Sequence, residues 1–121
     1  MSTLQDVPLA QAYRLLNHGP TVLVSSAHDG QQNVMAAAWA MPLDFDPPKI
    51  VVVIDKATHT RKLMEASGEF ALNVPGRDQA HAVVAAGSAS GADCDKFAAS
   101  GLQPMPAQRI GAPLVAGCSA Y

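Results

Sequence analysis

Residues 58–62 concentrate hydrogen-bond donors in what we predict is the first turn of a helix. The segment reads Thr58-His59-Thr60-Arg61-Lys62, with two hydroxyl groups and two permanent cations. A helix start also has unpaired backbone N–H groups and a partial positive charge. Together these groups supply the donors that a phosphate requires, so the segment predicts a phosphate-binding site. The alternative is a solvated helix start whose threonines only cap the backbone.

His59 is the least specific of these residues. A lone histidine is more often a surface or packing residue, and no second His, Cys or Asp in the sequence completes a metal-binding set with it. We therefore predict no metal site. The two cysteines, Cys94 and Cys118, make no zinc pattern and are expected to be reduced, as in a cytoplasmic protein.

A second candidate site precedes the first, at residues 33–41. This segment is rich in alanine and contains the chain's only tryptophan. A flat aromatic ring needs an apolar wall with a few backbone groups aimed at its polar edge, and alanine lets a backbone come close to such a ring. Core packing would account equally well for Trp39 and Met41. Asn33 is the stronger candidate, because a polar side chain that opens an apolar strand usually has a partner.

An apolar surface joined by one strand to an anion-binding helix start suits a ligand with a flat ring at one end and a phosphate at the other. FMN fits this description. The chain also has no GxSxG motif and no obvious pair of catalytic carboxylates. The lack of an obvious acid, base or nucleophile is typical of an enzyme whose flavin cofactor supplies the hydride chemistry.

Composition narrows the class of protein. The 121 residues predict a single domain that can bury a real hydrophobic core. With 49% hydrophobic and 15% charged residues the chain is not expected to be disordered, and a net charge of −2 without a basic cluster argues against nucleic-acid binding. The longest apolar run, residues 34–42, is too short to span a membrane, and the N-terminus lacks the pattern of a secretory signal. The low charged fraction predicts a surface hidden by a ligand or a second subunit.

The residue pattern predicts five strands with interspersed short helices, an α+β or barrel arrangement. Strands are expected at residues 21–26, 32–41, 49–54, 69–74 and 114–121, and helices at residues 9–16, 58–67, 78–86 and 93–99. Asp29-Gly30 predicts a tight hairpin turn. The continuous aliphatic run at 49–54 predicts a strand buried on both faces. Residues 101–113 are expected to be irregular, which leaves the last strand without a visible partner.

Several short motifs occur in a fixed order along residues 20–121. They are TVLVSS at 21–26, Asn33-x-Met35, Ala38-Trp39, Asp46-Pro47-Pro48, His59-Thr60, GEFxxNVP at 68–75, Ser90-Gly91-x-x-x-Asp95-Lys96-Phe97 and GAPL at 111–114. In this order and spacing they resemble the flavin reductase-like, or flavoredoxin-type, family. The members of this family are FMN-binding split β-barrels.

The resemblance implies one domain over residues 1–121 with a mainly β (α+β) fold, the FMN-binding split β-barrel with short flanking helices. It implies FMN as the cofactor, NAD(P)H as the reductant and a homodimer whose interface completes the flavin pocket. It also implies that the segment at 33–41 runs along the flavin and that Ser90 and its neighbours close over it. The predicted cofactor-binding residues are Asn33, Ala38, Trp39, Ala40, Met41, Thr58, His59, Thr60, Lys62 and Ser90.

The activity implied by the resemblance is that of an FMN-dependent oxidoreductase. Hydride would pass from NAD(P)H to the flavin, and the electrons would then pass to an acceptor. The alternative is a non-catalytic FMN-binding or electron-carrier module. Family members continue beyond the position of Tyr121 through further strands, so the chain is expected to lack the last strands of the barrel.

Overall fold

The computed structural model describes residues 4–121, apart from the side chains of Tyr13 and Leu16. Within that range the strands are β1 (Val22–His28), β2 (Gln31–Ala37), β3 (Ala40–Phe45), β4 (Pro48–Val52), β5 (Ala71–Asn73), β6 (Pro104–Met105) and β7 (Leu114–Val115). The α-helices are α1 (His59–Ser67), α2 (Ala80–Gly87) and α3 (Lys96–Ser100), and short 3₁₀-helices lie at Leu9–Leu16 and Arg77–Gln79. No helix of this range is long and apolar enough to cross a membrane.

A three-stranded antiparallel sheet forms the centre of the fold, in the order β2-β1-β5. Strands β1 and β2 are joined by the predicted turn, in which Asp29 and Gly30 have φ angles of 48° and 76°. Two consecutive positive φ angles are what a two-residue hairpin turn requires, and this explains the Asp-Gly pair. Because β1 lies in the middle, β2 is left at an edge of this sheet.

Both faces of the central sheet are covered. On one face, Leu23 and Val34 pack with buried residues of α2 and α3, including Ala86 and Phe97. On the other face, Val24 packs in a second apolar cluster to which α1 contributes Met64. Helix α1 has the ends that the sequence predicts: Thr58 accepts a hydrogen bond from the Arg61 N–H as the N-cap, and Gly68 at φ 75° ends the helix.

The predicted single strand at residues 32–41 is wrong. The chain leaves the central sheet after Ala37 and begins a separate hairpin in which β3 pairs only with β4. The prediction that residues 49–54 are buried on both faces is also wrong, because β4 is exposed along most of its length. Val52 packs at the edge of the second apolar cluster, but the other residues of β4 are exposed, so most of its aliphatic sequence lies at the surface.

The C-terminal part of the chain is paired, contrary to expectation. Residues 104–105, predicted to be irregular, form β6 and pair with β7. Ala120 also makes an isolated bridge to Val74 at the end of β5. The predicted continuous strand at 114–121 is therefore limited to two residues and a bridge. Its pairing could not be anticipated, because a two-residue strand leaves almost no signal in the sequence.

Asn73 links β7 to the central sheet through a buried hydrogen-bond network. Its Nδ2 donates to the Leu23 carbonyl oxygen at 3.1 Å and to Ser25 Oγ at 3.0 Å, while its Oδ1 accepts from the Val115 N–H at 2.9 Å. The Ser25 hydroxyl in turn donates to the Pro113 carbonyl. Asn73 and Ser25 are fully buried, so each of these groups depends on the others for its partners.

We expect Asn73→Leu to lower the free energy of unfolding by about 2–4 kcal/mol, because it leaves several buried polar groups without partners. Chemical denaturation followed by circular dichroism measures the effect. Asn17→Ala is the matched control: Asn17 is exposed and its side chain makes one hydrogen bond, to the Trp39 indole, so its loss should cost less than about 1 kcal/mol. Equal losses in the two variants would show that the Asn73 network does not stabilise the fold.

Candidate functional site

A cleft of about 360 Å³ lies beside the edge strand β2, between the start of α1 and the loop that follows α2. Strand β2 supplies an apolar wall, and α1 supplies hydroxyl groups and backbone N–H groups. The residues that line it are Asn33, Met35, Ala36, Asp55, Ala57, Thr58, His59, Thr60, Ala86, Gly87, Ala89, Ser90, Gly91 and Lys96. The structure thus brings five of the ten predicted residues together in one place: Asn33, Thr58, His59, Thr60 and Ser90.

The first turn of α1 opens onto this cleft. The Thr58 hydroxyl donates to the Asp55 carbonyl at 2.8 Å and accepts from the Arg61 N–H at 3.2 Å, so it acts as an ordinary helix cap. Its hydroxyl hydrogen is therefore already used within the helix start. The next two residues, His59 and Thr60, contribute side chains to the cleft wall together with the first-turn N–H groups that no intrahelical bond uses. An anion bound at this turn would therefore depend on Thr60 and on the backbone more than on Thr58.

Asn33 and Thr60 form a buried polar pair at the base of the cleft. Asn33 Nδ2 donates to Thr60 Oγ1 at 2.9 Å, and each residue is 2% exposed. This bond occupies an acceptor position of the threonine hydroxyl and leaves its hydrogen available for a further acceptor. Among the described residues, Asn33 Oδ1 has no hydrogen-bond partner. A buried, unpaired amide oxygen in a cleft wall is the kind of group that a ligand or a neighbouring donor satisfies.

Gly91 approaches Asn33 so closely that no side chain fits there. A Cβ atom at Gly91 would lie 2.2 Å from Asn33 Oδ1 and 2.9 Å from His59 Cδ2. Because residue 91 is a glycine, the loop that carries Ser90 can lie directly against Asn33 and His59. The conformation of this loop and the orientation of the Asn33 amide are coupled for the same reason.

Lys96 is the cation of the cleft, and the residue-by-residue reasoning did not single it out. It stands at the first position of α3, is 5% exposed, and donates from Nζ to the Ala86 carbonyl at 2.7 Å. Burial lowers the pKa of Lys96 from its ordinary value, and the electrostatic interaction with the nearby Cys94 opposes that shift. A buried ammonium group with one backbone partner has donors to spare for an anionic ligand.

Lys62, by contrast, is exposed and does not belong to the lining of the cleft. Position 62 follows Thr60 by two residues, so the two side chains point in different directions around the helix. The side chain of Arg61 is paired with Glu65, at 2.7 Å between Nε and Oε1, and lies outside the lining as well. The Lys or Arg side chain that lines this cleft is therefore on α3, whereas the predicted cofactor-binding Lys62 lies outside the lining.

The other four predicted residues line a second, mostly apolar cleft of about 420 Å³. Its walls are Gly19, Ala38, Trp39, Ala40, Met41, Val51 and Val53. Trp39 is 46% exposed, and its indole Nε1 donates to Asn17 Oδ1 at 2.8 Å, so it is not a core residue. The two clefts are lined by consecutive residues of the chain: β2 ends at Ala37, and Ala38 is the first of the four predicted residues in the second cleft.

Most residues that sequence reasoning missed contribute a small side chain or a backbone surface. Met35 and Ala36 lie within the predicted segment but were not singled out, and Ala57, Ala86 and Ala89 carry no polar group that would mark them. Gly91 and Lys96 did stand in the motifs behind the family resemblance, which was the available signal. Within residues 4–121 no group of three His, Cys, Asp or Glu side chains is placed to hold a metal ion.

We expect Gly91→Ala to reduce the free energy of unfolding by about 1–3 kcal/mol, the usual cost of forcing an extra methyl group into a closely packed contact. Gly87→Ala, at the last residue of α2, is the control, since its Cβ would meet Ala36 Cβ at an ordinary 3.4 Å. We expect that variant to change stability by less than about 0.5 kcal/mol. Thermal unfolding of both variants measures the difference, and equal stabilities would contradict the close contact.

The fold and the cleft together define a class of protein: an α+β domain with a cleft between an apolar sheet edge and a cluster of hydrogen-bond donors. The chain belongs to the flavin reductase like domain family, whose model matches residues 14–121. The predicted family is confirmed, and so is the predicted mainly β (α+β) split-barrel fold, which the following structures share.

A crystal structure from Shewanella baltica OS155, described as an FMN-binding domain of a flavin reductases-like enzyme, is 51% identical to this chain with a TM-score of 0.80. The similarity covers 93% of this chain and 60% of that one. Flavoredoxin of Desulfovibrio vulgaris (Miyazaki F) is 34% identical with a TM-score of 0.83, over 97% of this chain and 62% of that one.

Among curated proteins, the uncharacterized protein YddH of Escherichia coli (strain K12) is 45% identical over 117 residues. That match covers 95% of this chain and 62% of YddH. The chain therefore spans about three fifths of the length of these relatives.

Proposed function

We propose that the protein is an FMN-dependent oxidoreductase that transfers hydride from NAD(P)H to the flavin and reduces a further acceptor. The observation that carries the proposal is the cleft itself, in which the α1 start and the buried Lys96 meet the apolar edge strand β2. The cofactor is FMN: the Shewanella baltica relative is described as FMN-binding, and the cleft has donors for a phosphate. When bound, FMN supplies the hydride-transfer chemistry that no side chain of this protein provides.

The donors at one end of the cleft fit the phosphate. Thr60 offers its hydroxyl hydrogen, α1 offers first-turn N–H groups, and Lys96 offers a buried positive charge. Asp55 also lines the cleft, but its Oδ1 accepts from the Ala57 N–H at 2.8 Å, which ties the carboxylate to its own loop. His59 and Ser90 border the same region and complete its rim.

The apolar part of the cleft fits the flavin ring. Met35 and Ala36 belong to an edge strand, and small side chains such as Ala36 let a flat ring approach the backbone of that strand. We place the continuation of the ring site in the second cleft, where Ala38, Trp39, Ala40 and Met41 lie. The residues of this chain would thus bind and orient the cofactor and exclude water from one of its faces, and we assign none of them a proton-transfer role.

A homodimer is part of the proposal. The β3–β4 hairpin exposes six large apolar side chains, distributed over its two faces: Met41, Leu43, Phe45, Ile50, Val51 and Val53. Such a set is larger than the isolated apolar residues that ordinary surfaces carry. The hairpin also forms walls of the second cleft, so a second subunit seated on it would close that part of the flavin site. A stable interface of this kind buries more than ~2,000 Å².

Steady-state oxidation of NADH and NADPH by the purified protein loaded with FMN tests the activity. We expect oxidation of at least one of the two nucleotides when an electron acceptor is supplied. A protein that binds FMN tightly but oxidises neither nucleotide would exclude the reductase and leave the electron carrier.

The similarity to a flavoredoxin favours that second candidate, an FMN-binding electron carrier without reductase activity of its own. The same cleft would serve both functions, and the assay with the two nucleotides distinguishes them. A cytoplasmic location is part of either proposal, because both Cys94 and Cys118 are free thiols in the structure.

A further inference from the structure

Ser26 lies directly opposite Asn33 in the pairing of β1 with β2. Residues that face each other across an antiparallel pair point to the same side of the sheet, with Cβ atoms about 4.5–5.5 Å apart. Ser26 is fully buried, and among the described residues its Oγ has no hydrogen-bond partner. Asn33 Oδ1 lacks a partner as well. A buried donor and a buried acceptor without partners thus stand on adjacent side chains.

The two unpaired atoms are chemically complementary. A serine hydroxyl can donate one hydrogen, and an amide oxygen can only accept. A change in the Asn33 side-chain torsion, or one bridging water molecule, would join them. Two buried polar atoms without partners destabilise the folded state, so their presence calls for a functional explanation.

We propose that Ser26 is a positioning residue of the FMN site, which acts through Asn33 on Thr60. The proposed hydrogen bonds form a row. The Ser26 hydroxyl donates to Asn33 Oδ1, Asn33 Nδ2 donates to Thr60 Oγ1, and the Thr60 hydroxyl donates to a phosphate oxygen. Its middle bond is present at 2.9 Å. This inference rests on the proposed function for its last step only.

The direction of the row explains why Ser26 matters. If the Asn33 amide were reversed, its oxygen would accept from Thr60, and the threonine hydrogen could no longer reach a phosphate. In that orientation the amide nitrogen would donate to Ser26, whose own buried hydrogen would then have no acceptor. The orientation seen in the structure therefore gives both hydroxyl hydrogens and one Asn33 N–H an acceptor, once Ser26 reaches Asn33 Oδ1 and an anion accepts from Thr60, and bonds aligned in one direction strengthen one another.

Neighbouring residues limit the alternatives. Gly91 packs closely against Asn33 Oδ1, so the amide has little room to move toward the loop that carries Gly91. The adjacent Ser25 points to the opposite face, and its hydroxyl is fully used in the Asn73 network. Ser25 therefore provides a matched control: the same residue type, equally buried, one position away in the chain.

The test compares Ser26→Ala, Ser26→Thr and Ser25→Ala with the wild-type protein. We expect Ser26→Ala to lower the unfolding temperature less than Ser25→Ala does, because the Ser26 hydroxyl has one partner in the row and the Ser25 hydroxyl has two. We expect Ser26→Ala to weaken FMN binding about tenfold, equivalent to about 1.4 kcal/mol, and riboflavin binding by less than about twofold. Ser26→Thr should restore FMN affinity, and Ser25→Ala should lower the unfolding temperature with the FMN-to-riboflavin ratio unchanged.

An NMR measurement tests the row without flavin. The Asn33 side-chain amide protons, assigned by their loss in Asn33→Ala, should exchange slowly with solvent in the wild type and in Ser25→Ala, and much faster in Ser26→Ala. Unchanged exchange in Ser26→Ala would overturn the proposal whether or not the protein binds FMN. So would a Ser26→Ala variant that binds FMN as the wild type does, or one that loses FMN and riboflavin equally. Failure of the wild type to bind FMN would instead overturn the proposed function.

Discussion

Replacing Lys96 by methionine should weaken FMN binding by about 10- to 150-fold, the range expected for the loss of one hydrogen bond to a charged group. Methionine keeps most of the volume of the side chain and removes only its charge and donors. Riboflavin lacks the phosphate, so its affinity should change by less than about threefold. Fluorescence titration of each flavin measures both constants.

Lys62→Met is the matched control for this prediction, since Lys62 carries the same charge on an exposed face of α1. Its effect on FMN should be small, because exposed charges are screened by solvent. An equal loss of FMN affinity in the two variants would mean that the phosphate lies over the outer face of α1 and not in the cleft.

The pH dependence of binding provides a separate check on Lys96. Burial lowers its pKa below the ordinary value of 10.5, and the phosphate binds the protonated form. FMN affinity should therefore fall as pH rises through the lowered pKa, by up to about tenfold per pH unit. In Lys96→Met this component of the pH profile should be absent.

Introducing glutamate at both Phe45 and Val51 should convert the proposed homodimer into monomers. Phe45 is 91% exposed and Val51 39% exposed on the β3–β4 hairpin, so neither substitution disturbs the core of the single chain. The two residues lie on opposite faces of the hairpin, so an unpaired carboxylate would be buried whichever face the second subunit covers. This should raise the dimer dissociation constant at least about 100-fold. Sedimentation velocity over a range of concentrations measures the change.

Val84→Glu is the control for the hairpin variant, because Val84 is an apolar residue 68% exposed on α2, away from the hairpin. It should leave the dimer intact. A wild-type protein that sediments as a monomer at all concentrations while it holds FMN would contradict the proposed interface. The double variant should also bind flavin more weakly, since Val51 itself lines the second cleft together with Met41 and Val53.

Elements fixed by local interactions could be predicted from the sequence. Helix α1 is one example: its cap, Thr58, and its terminating glycine, Gly68, act within a few residues of the chain. The Asp29-Gly30 turn is another, because its positive φ angles depend on those two residues alone. The apolar sequence of β4 was misread for the opposite reason. Whether an aliphatic strand is core or surface depends on what packs against it, and that is not a local property.

The candidate site could be predicted only in pieces. Asn33 and Thr60 were each identified from their own segments, but their hydrogen bond joins residues 27 positions apart, and no spacing rule predicts it. Lys96 was overlooked as a ligand-binding group because a lysine next to Asp95 on a short helix resembles a surface charge. Its burial results from the packing of α3 against α2, where the Ala86 carbonyl accepts from it.

The most direct test of the proposed site is a parallel titration of the purified protein with FMN and riboflavin, repeated with Thr60→Val. The cleft formed by β2, α1 and Lys96 predicts one FMN per chain, with riboflavin bound at least about tenfold more weakly. It also predicts that Thr60→Val, which keeps the shape of the side chain but loses the hydroxyl, reduces this preference for FMN. Equal affinities of the wild type for the two flavins, or a preference that Thr60→Val leaves unchanged, would contradict a phosphate site at the start of α1.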